Sequence, residues 1–233
     1  MMKNRLWTGI SCALGVAALL GSQLSVAAAP DIKWELDDAI RQIERQADDF
    51  STAMAQTEIV KVDGDGSELE RTTGTKFIRS DGRMRYRIDG SDRIILTDKR
   101  IVEDYDGAAK TVTEYRLSKH KDRLEPFMRL GFSATGKDLK DDFLITIIGE
   151  ETLGDARTLV LELTPKRDGV RASVSKARLW IDQASWMPRR QEFNSPADGS
   201  TTTINYSGMA RNLKLNPDLF DGNWPRGTEK IDP

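Results

Sequence analysis

The 233-residue sequence predicts a mostly β (α+β) domain, in which one large, curved antiparallel sheet carries helices on its concave side. Three observations lead to this prediction. An amphipathic helical pattern comes first, a long series of short segments with alternating apolar and polar residues follows, and the links between those segments are rich in glycine and aspartate. Such short links join antiparallel neighbours, because a parallel crossover needs a dozen or more residues.

Residues 1–29 have the pattern of a secretory signal peptide. Lys3 and Arg5 form a basic start, an apolar run covers residues 6–20, and small residues at 26–29 supply a cleavage site. The apolar run is shorter than the ~20 residues of a membrane-spanning helix, so we expect cleavage rather than a retained anchor. We therefore predict an exported protein with a single domain over residues 30–233.

The chain offers few of the side chains that common catalytic and metal sites need. Its one cysteine, Cys12, lies in the predicted signal peptide, and its one histidine, His120, lies in a basic stretch. A hydrolytic triad or a Cys/His zinc site is therefore not expected, and we predict a protein that is not an enzyme and has no metal or cofactor. A pair of catalytic carboxylates stays open, since such pairs need no local motif. The formal net charge of −2 argues against a nucleic-acid partner.

A helix is predicted over residues 31–55, with Asp31 as its N-cap. Apolar side chains recur there every three or four residues and therefore share one face. These side chains are Leu36, Ile40, Ile43, Ala47, Phe50 and Met54. We expect this face to pack on the concave side of the sheet.

Eleven strands are predicted after the helix. They cover residues 57–62, 75–79, 83–89, 93–97, 100–105, 111–117, 142–148, 157–164, 173–182, 188–194 and 201–206. Links such as Asp81-Gly82 and Asp106-Gly107 are typical of hairpin turns. The acidic link at 63–68 is similar to a calcium-binding loop, but Glu68 stands where that loop requires glycine, so a polar turn is expected.

Alternation along the strands indicates which side of the sheet is buried. Met84, Tyr86 and Ile88 point to one side of their strand, and Leu179 and Ile181 do the same in theirs. We expect this apolar side to be the concave one.

Three arginines, Arg83, Arg85 and Arg87, occupy the other side of the same strand. They are interpreted as a solvent-facing row paired with acids such as Glu103 or Glu114 on neighbouring strands. The alternative is a docking surface for an acidic partner or for anionic headgroups.

Residues 120–140 interrupt the series of strands and are predicted to form one or two helical turns. Apolar side chains crowd this stretch at Leu124, Phe127, Met128, Leu130 and Phe132. The segment is either a lid over the open mouth of the sheet or a simple cover on a core. Near the end of the chain, Leu219, Phe220 and Trp224 are expected to make closing contacts.

The order of these elements resembles that of the LolA-type outer-membrane lipoprotein carriers of Gram-negative bacteria. Those carriers have a strand, a tight turn, an aromatic-ended strand, an aliphatic run and a strand that ends in tyrosine. The matching segments here are Thr75-Lys76-Phe77-Ile78-Arg79, Ser80-Asp81-Gly82, Arg83-Met84-Arg85-Tyr86, Ile94-Ile95-Leu96-Thr97-Asp98 and Asp104-Tyr105. Later matches are Pro126-Phe127-Met128 at the start of the lid helix, Thr164-Pro165-Lys166 at a strand end, and Phe220, Pro225 and Gly227 in the closing motif.

The resemblance implies an unclosed antiparallel β half-barrel, with an N-terminal helix and a short lid helix over its concave face. It also implies a periplasmic carrier or chaperone that shields the acyl chains of lipoproteins, or of related lipids, in transit to the outer membrane. Its partners would be the acylated lipoproteins or lipids, an inner-membrane release complex and an outer-membrane acceptor, and the carrier itself would be a monomer. Each exposed methylene costs ~0.8 kcal/mol, so acyl chains need such a shield in water.

The predicted ligand-binding residues of the cavity and lid are Ile78, Met84, Tyr86, Ile88, Phe127, Met128, Phe132, Leu179 and Ile181. The carriers have an Arg-Pro pair where this chain has Ser80-Asp81, and the nearest arginine, Arg79, is displaced by one position. One step along a strand leads to the opposite face. Arg79 and Ser80 are therefore only candidate polar contacts to the lid.

Two other functions stay open. One is a periplasmic ligand-binding sensor or regulator on the same fold, which binds a ligand and then releases a membrane-bound signalling partner; such proteins usually carry a second domain. The other is a hydrolase that uses carboxylates, although no feature of the sequence selects its residues.

Overall fold

The computed structural model describes residues 32–98, 100–116, 127 and 129–232. The predicted signal peptide, His120 and Met128 lie outside the described residues. No helix in the described part of the chain is long and apolar enough to cross a lipid bilayer.

The described residues form twelve strands and several short helices. The strands are β1 (Thr52–Val62), β2 (Glu68–Arg79), β3 (Met84–Ile88), β4 (Arg93–Thr97), β5 (Ile101–Asp106), β6 (Thr111–Arg116), β7 (Phe143–Leu153), β8 (Ala156–Pro165), β9 (Lys176–Asp182), β10 (Pro188–Asn194), β11 (Thr201–Arg211) and β12 (Glu229–Ile231). The helices are α1 (Leu36–Asp48), α2 (Gly136–Asp142) and α3 (Asp168–Arg171), and a 3₁₀ turn spans Pro217–Phe220.

All twelve strands belong to one sheet, in the order β12-β6-β5-β4-β3-β2-β1-β11-β10-β9-β8-β7. Neighbouring strands are antiparallel, except that β12 runs parallel to β6. The sheet ends at β12 and β7, which do not pair with each other, so the predicted unclosed antiparallel sheet is confirmed. The eleven predicted strands are present. The twelfth, β12, has three exposed residues and therefore no alternation that would predict it.

Helix α1 is shorter than predicted. It covers residues 36–48 rather than 31–55, and its N-cap is Glu35 rather than the predicted Asp31, which lies outside the described residues. Phe50 follows the helix as a buried side chain, and Met54 lies in β1. The helix stops there because the next residues alternate with period two and pair with both β2 and β11.

Helix α1 packs on the concave face of the sheet, as predicted, but only over one half of it. Its buried side chains Ala39, Ile40 and Ile43 join a core cluster with β8 and β9. On the sheet side this cluster contains Leu159, Leu161, Leu163, Ala177, Leu179 and Ile181. Full burial of each large aliphatic side chain contributes about 1.5–3 kcal/mol, so this half of the sheet is the stable base of the domain.

The C-terminal segment covers the opposite, convex face of β3–β5. Trp224 stacks on Tyr105 with ring centres 4.5 Å apart, and its Nε1 donates to Glu103 Oε1 at 3.3 Å. Arg85 donates to the Leu219 carbonyl oxygen at 2.9 Å and lies over the Trp224 ring. The predicted closing contacts of the tail are therefore confirmed, and Arg85 is covered by the tail instead of facing solvent.

The other two arginines of this row have different surroundings. Arg83 lies 3.7 Å from the Asp221 carboxylate, and Arg87 is exposed. Glu114 pairs with Lys230, and the Glu103 carboxylate receives the Trp224 indole. The predicted pairing of the row with Glu103 or Glu114 is therefore wrong, because the tail occupies the space beside those acids.

Candidate ligand-binding cavity

Strand register places one row of side chains across the open half of the concave face. Met84 lies opposite Ile78 on β2 and Thr97 on β4, and Thr97 in turn lies opposite Val102 on β5. Because directly opposed residues point to the same face, this row faces the inside of the half-barrel. Helix α1 packs against β8 and β9 and leaves this row uncovered.

A cavity of about 280 Å³ lies between this row and the roof residues Phe127, Leu130 and Phe132. Most of its lining is aliphatic or aromatic, and four of its side chains are polar. The lining residues are Lys76, Met84, Thr97, Val102, Phe127, Leu130, Phe132, Val174, Gln191, Phe193, Ile204 and Tyr206. The volume lies at the small end of the ~300–1,000 Å³ that is usual for ligand pockets, so it suits one acyl chain rather than several.

The roof of the cavity is held to the sheet by polar and aromatic contacts. Gln191 Nε2 donates to the Leu130 carbonyl oxygen at 2.6 Å. The Phe132 ring lies 5.4 Å from the Tyr206 ring and 6.2 Å from the Phe50 ring, centre to centre. These contacts place Leu130 and Phe132 above the open half of the sheet.

Helix α2 anchors the far end of the roof. Thr135 Oγ1 accepts from the Asp138 backbone N–H at 3.1 Å, while the Asp138 carboxylate accepts from the Thr135 N–H at 2.9 Å, which is a capping box. The Arg129 guanidinium lies 3.2 Å from the same carboxylate. A Cβ on Gly136 would lie 2.7 Å from Ile40 Cγ2, so α2 packs closely against α1.

Tyr206 and Gln191 form the polar part of the sheet wall. The Tyr206 hydroxyl donates to Gln191 Oε1 at 2.8 Å, and Gln191 Nε2 in turn donates to the Leu130 carbonyl oxygen. Burial raises the pKa of Tyr206 well above its ordinary value, so the phenol stays neutral. The side-chain hydrogen-bonding groups of Gln191 are thereby engaged, and this wall carries no negative charge.

Lys76 is the one charged side chain among the described lining residues. Its Nζ lies 5.7 Å from the centre of the Tyr206 ring, within the range of a cation–π contact. No carboxylate in the described part of the chain forms an ion pair with it. Burial lowers the pKa of Lys76 to about 8, so the ammonium still carries its charge at neutral pH.

Three of the predicted binding residues, Met84, Phe127 and Phe132, lie together on the walls of this cavity. Tyr86 and Ile88 face the same side of the sheet, but they line a separate cavity of about 200 Å³. Their role in binding stays a prediction.

Three further predicted residues are packed into the core and are not among the lining residues. Ile78 lies in a cluster with Phe50 and Phe132. Leu179 and Ile181 lie beneath α1 and are 0% and 1% exposed. The alternation placed all three correctly on the concave face, but helix and roof residues fill the space above them.

The structure also corrects the two candidate polar contacts to the lid. Arg79 lies on the convex face, 5.5 Å from the centre of the Phe220 ring, and donates to Asp81 at 2.6 Å. Ser80 is exposed, and its N–H donates to the Ser51 carbonyl oxygen at 2.9 Å. Strand alternation puts Arg79 opposite to the cavity, so it contacts the C-terminal tail instead of the roof.

Sequence reasoning missed Lys76 and the wall formed by Gln191, Phe193, Ile204 and Tyr206. A signal for Lys76 was present, since it lies two residues before Ile78 and must share its face. For the other four, alternation marks the face, but only the tertiary fold brings β11 beside β1, with β10 on the far side of β11. Among the described residues, no group of three or more histidine, cysteine, aspartate or glutamate side chains could hold a metal ion.

Comparison with known sequences finds distant relatives. A family model described as "-like: Uncharacterized protein" matches residues 105–211, which is less than half of the chain. An uncharacterized protein of Methanocaldococcus jannaschii is 23% identical over 145 residues, which cover 62% of this chain. The match spans only 39% of that relative's length.

Comparison with solved structures finds proteins of similar fold. An uncharacterized conserved protein from Thermus thermophilus matches with a TM-score of 0.54 at 10% identity, over 85% of this chain and 100% of that one. A LolA superfamily protein from Nitrosomonas europaea also matches, with a TM-score of 0.40 at 17% identity, over 78% of this chain and 97% of that one. The Thermus thermophilus protein, with a TM-score above 0.5, shares the fold of this chain. At these identities the likeness concerns the fold alone.

Proposed function

We propose that this protein is an exported carrier that shields an acyl chain of a lipoprotein, or of a related lipid, on its way through the periplasm to the outer membrane. The observation that supports this function best is the apolar cavity between the open half of the sheet and the side chains of Phe127, Leu130 and Phe132. The proposed role is binding and transfer rather than catalysis. An inner-membrane donor and an outer-membrane acceptor would be its partners.

The lining of the cavity suits a hydrocarbon chain. Burial of each methylene contributes ~0.8 kcal/mol, so a chain of ten methylenes gains roughly 8 kcal/mol when it leaves water. The flexible Met84 side chain can adapt its shape to such a chain. The rings of Phe127 and Phe132 offer it large apolar surfaces. A cargo with more than one chain needs more room than the present cavity, which holds about 280 Å³.

Release requires that the roof separate from the sheet without unfolding the domain. The roof contacts the sheet through the Gln191–Leu130 hydrogen bond and the ring of Phe132, and the buried Leu130 side chain belongs to the cluster under α1. Loss of the hydrogen bond costs about 0.5–1.5 kcal/mol, and exposure of each large apolar side chain costs a further ~1.5–3 kcal/mol. An entering acyl chain replaces part of this apolar contact, which lowers the cost of opening the roof.

Native mass spectrometry on protein purified from its own periplasm without detergent tests the proposal. We expect a mass increment that dissociates as an acylated peptide or a phospholipid. A bare mass, together with no uptake of an added acyl ligand, would contradict the carrier function and favour a sensor that binds another protein.

A matched pair of variants tests the site itself. Met84→Glu places a charge in the apolar wall and is expected to abolish uptake while the fold persists, because Met84 is only partly buried. Leu144→Glu makes the same kind of change at an exposed position on β7 and is expected to bind normally. Normal uptake by Met84→Glu would remove this strand from the site.

A further inference from the structure

We propose that the cavity selects a cargo with one acyl chain and an anionic headgroup, a carboxylate or a phosphate monoester, and that Lys76 binds this headgroup. The inference rests on the proposed function, because it concerns the same cavity. It adds the chemical class of the cargo and the residue that recognises it.

The ammonium group of Lys76 belongs to a side chain that lines a mostly apolar cavity. Lys76 lies on β2 among Met84, Ile204, Phe132 and other apolar lining residues. A charge that leaves water without a partner is costly, and buried charges in proteins are usually paired. Among the described residues Lys76 forms no ion pair, and its side chain lines the cavity.

The described side chains around Lys76 supply no negative charge. Tyr206 is neutral, and its hydroxyl already donates to Gln191. Thr97 is a neutral hydroxyl, and Arg129, near the roof, pairs with Asp138 outside the lining. The ring of Tyr206 supports the ammonium by a cation–π contact, which does not replace a counterion.

The ammonium group of Lys76 is chemically suited to bind a carboxylate or a phosphate. A lysine ammonium is a compact charge with three donors, and a hydrogen bond between ionised groups is about twice as strong as a neutral one. Burial lowers the pKa of Lys76 to about 8, so at pH 7 the group is protonated and able to bind an anion. A fatty-acid carboxylate or an alkyl phosphate would place its anion on Lys76 and its chain against the apolar walls.

The size of the cavity limits the chain. Its 280 Å³ corresponds to roughly nine waters of ~30 Å³ each, and a methylene is similar in size, so a chain of about ten carbons fits without rearrangement. Ten-carbon amphiphiles are therefore the appropriate probes.

The test compares decanoate, decyl phosphate, decanol and acetate by isothermal titration calorimetry at pH 7, with the whole chain after signal cleavage and without detergent. The variants are Lys76→Met, which removes the charge, and Lys76→Arg, which retains it. Lys140→Met is the matched control, because Lys140 is exposed and pairs with Asp37 away from the cavity. Circular dichroism checks that each variant is folded.

We expect wild-type protein to bind decanoate or decyl phosphate at least about tenfold more tightly than decanol, since a charged hydrogen bond contributes about 1.5–3 kcal/mol. Lys76→Met should lose at least about tenfold in affinity for the anions and change by less than about twofold for decanol. Lys76→Arg should retain the preference for anions, and Lys140→Met should behave as wild type. The stronger of the two anionic ligands identifies the headgroup as carboxylate or phosphate.

Four outcomes overturn the inference. Equal affinity of wild-type protein for decanoate, decyl phosphate and decanol, or unchanged anion binding by Lys76→Met, would leave the carrier function intact but remove the headgroup site. Acetate binding as tight as decanoate binding would indicate an anion site without an acyl chain. Binding of neither decanol nor the anionic amphiphiles would contradict the inference and the carrier function together.

Discussion

The ammonium nitrogen of Lys76 lies 5.7 Å from the centre of the Tyr206 ring, on the sheet wall of an otherwise apolar cavity. The two residues come from β2 and β11, which flank β1 on either side. The small residues of β1 between them, Ala55 and Thr57, leave room for this approach. A half-buried cation and a neutral ring thus meet on the sheet wall of the cavity, and this arrangement determines several measurable properties.

Lys76→Met is expected to stabilise the ligand-free protein at neutral pH. In the folded protein burial lowers the pKa of Lys76 from 10.5 to about 8, so between these values the unfolded chain binds more protons than the folded one. The stability of wild-type protein should therefore rise with pH between about 8 and 10.5, by up to about 3 kcal/mol. Below pH 8 the variant should be more stable by up to that amount.

Urea unfolding at pH 7, 8.5 and 10 measures this effect, with Lys140→Met as the control for loss of a surface charge. If wild-type protein and Lys76→Met show the same dependence of unfolding free energy on pH, the ammonium is not desolvated in the folded state.

The affinity for decanoate is expected to fall as pH rises above about 8, by up to tenfold per pH unit. The ligand-free protein then loses the proton from Lys76. The described lining residues from β3, β4, β5, β10 and the roof do not titrate, and Tyr206 on β11 has a raised pKa. Titration calorimetry from pH 7 to 10 measures the change. The affinity of wild-type protein for decanol should not change with pH, because decanol carries no charge. The affinity of Lys76→Arg for decanoate should not change either, because arginine remains charged. If the affinity of wild-type protein for decanoate does not change with pH, Lys76 is not the group that binds the carboxylate.

Phe220→Ala is expected to separate stability from ligand binding. Phe220 is 3% exposed and lies on the convex face against Arg79. Its truncation should lower the free energy of unfolding by about 3 kcal/mol and leave uptake in the cavity unchanged. Denaturant unfolding and decanoate titration measure the two effects, and Asn223→Ala, at an exposed position in the same segment, is the control. Loss of binding in folded Phe220→Ala would show that the tail influences the cavity.

Gly74→Ala is expected to lower the free energy of unfolding by about 1–3 kcal/mol, because the added methyl group overpacks the sheet. A Cβ at this position would lie 2.2 Å from the Arg87 carbonyl oxygen and 2.7 Å from Cε2 of the Tyr86 ring. Gly169→Ala is the control, since a Cβ there has no heavy atom within 4 Å and alanine favours the helix. Thermal and urea unfolding of both variants test the difference. A neutral effect of Gly74→Ala would mean that Tyr86 does not cover this position.

The local pattern predicted the strands well because each strand repeats with period two and ends at a polar turn. β4 and β10 agree residue for residue with the predicted strands 93–97 and 188–194. The C-terminal end of α1 was predicted poorly, because Phe50 and Met54 continue the helical spacing by chance. There, pairing of β1 with two neighbouring strands outweighs helical periodicity.

The candidate cavity could be predicted only in part. Alternation identifies the face to which Met84, Ile78 and Leu179 belong, and all three do lie on the concave side. It does not indicate that α1 fills the half with Leu179, or that Phe132 and Phe50 cover Ile78. Those contacts join residues far apart in the chain, and a local period carries no information about them.

The sequence by itself determined the leader pattern, the number and order of the main strands, their turns and the apolar face of the sheet, because each follows from residues within one element or one link. Only the tertiary structure decided where that face stays open, why Arg79 and Arg85 contact the tail, and how Lys76 comes to lie in an apolar wall. The physical reason is burial. Whether an apolar face becomes core or cavity depends on which distant segment covers it, and the desolvation of a charge depends on the same packing.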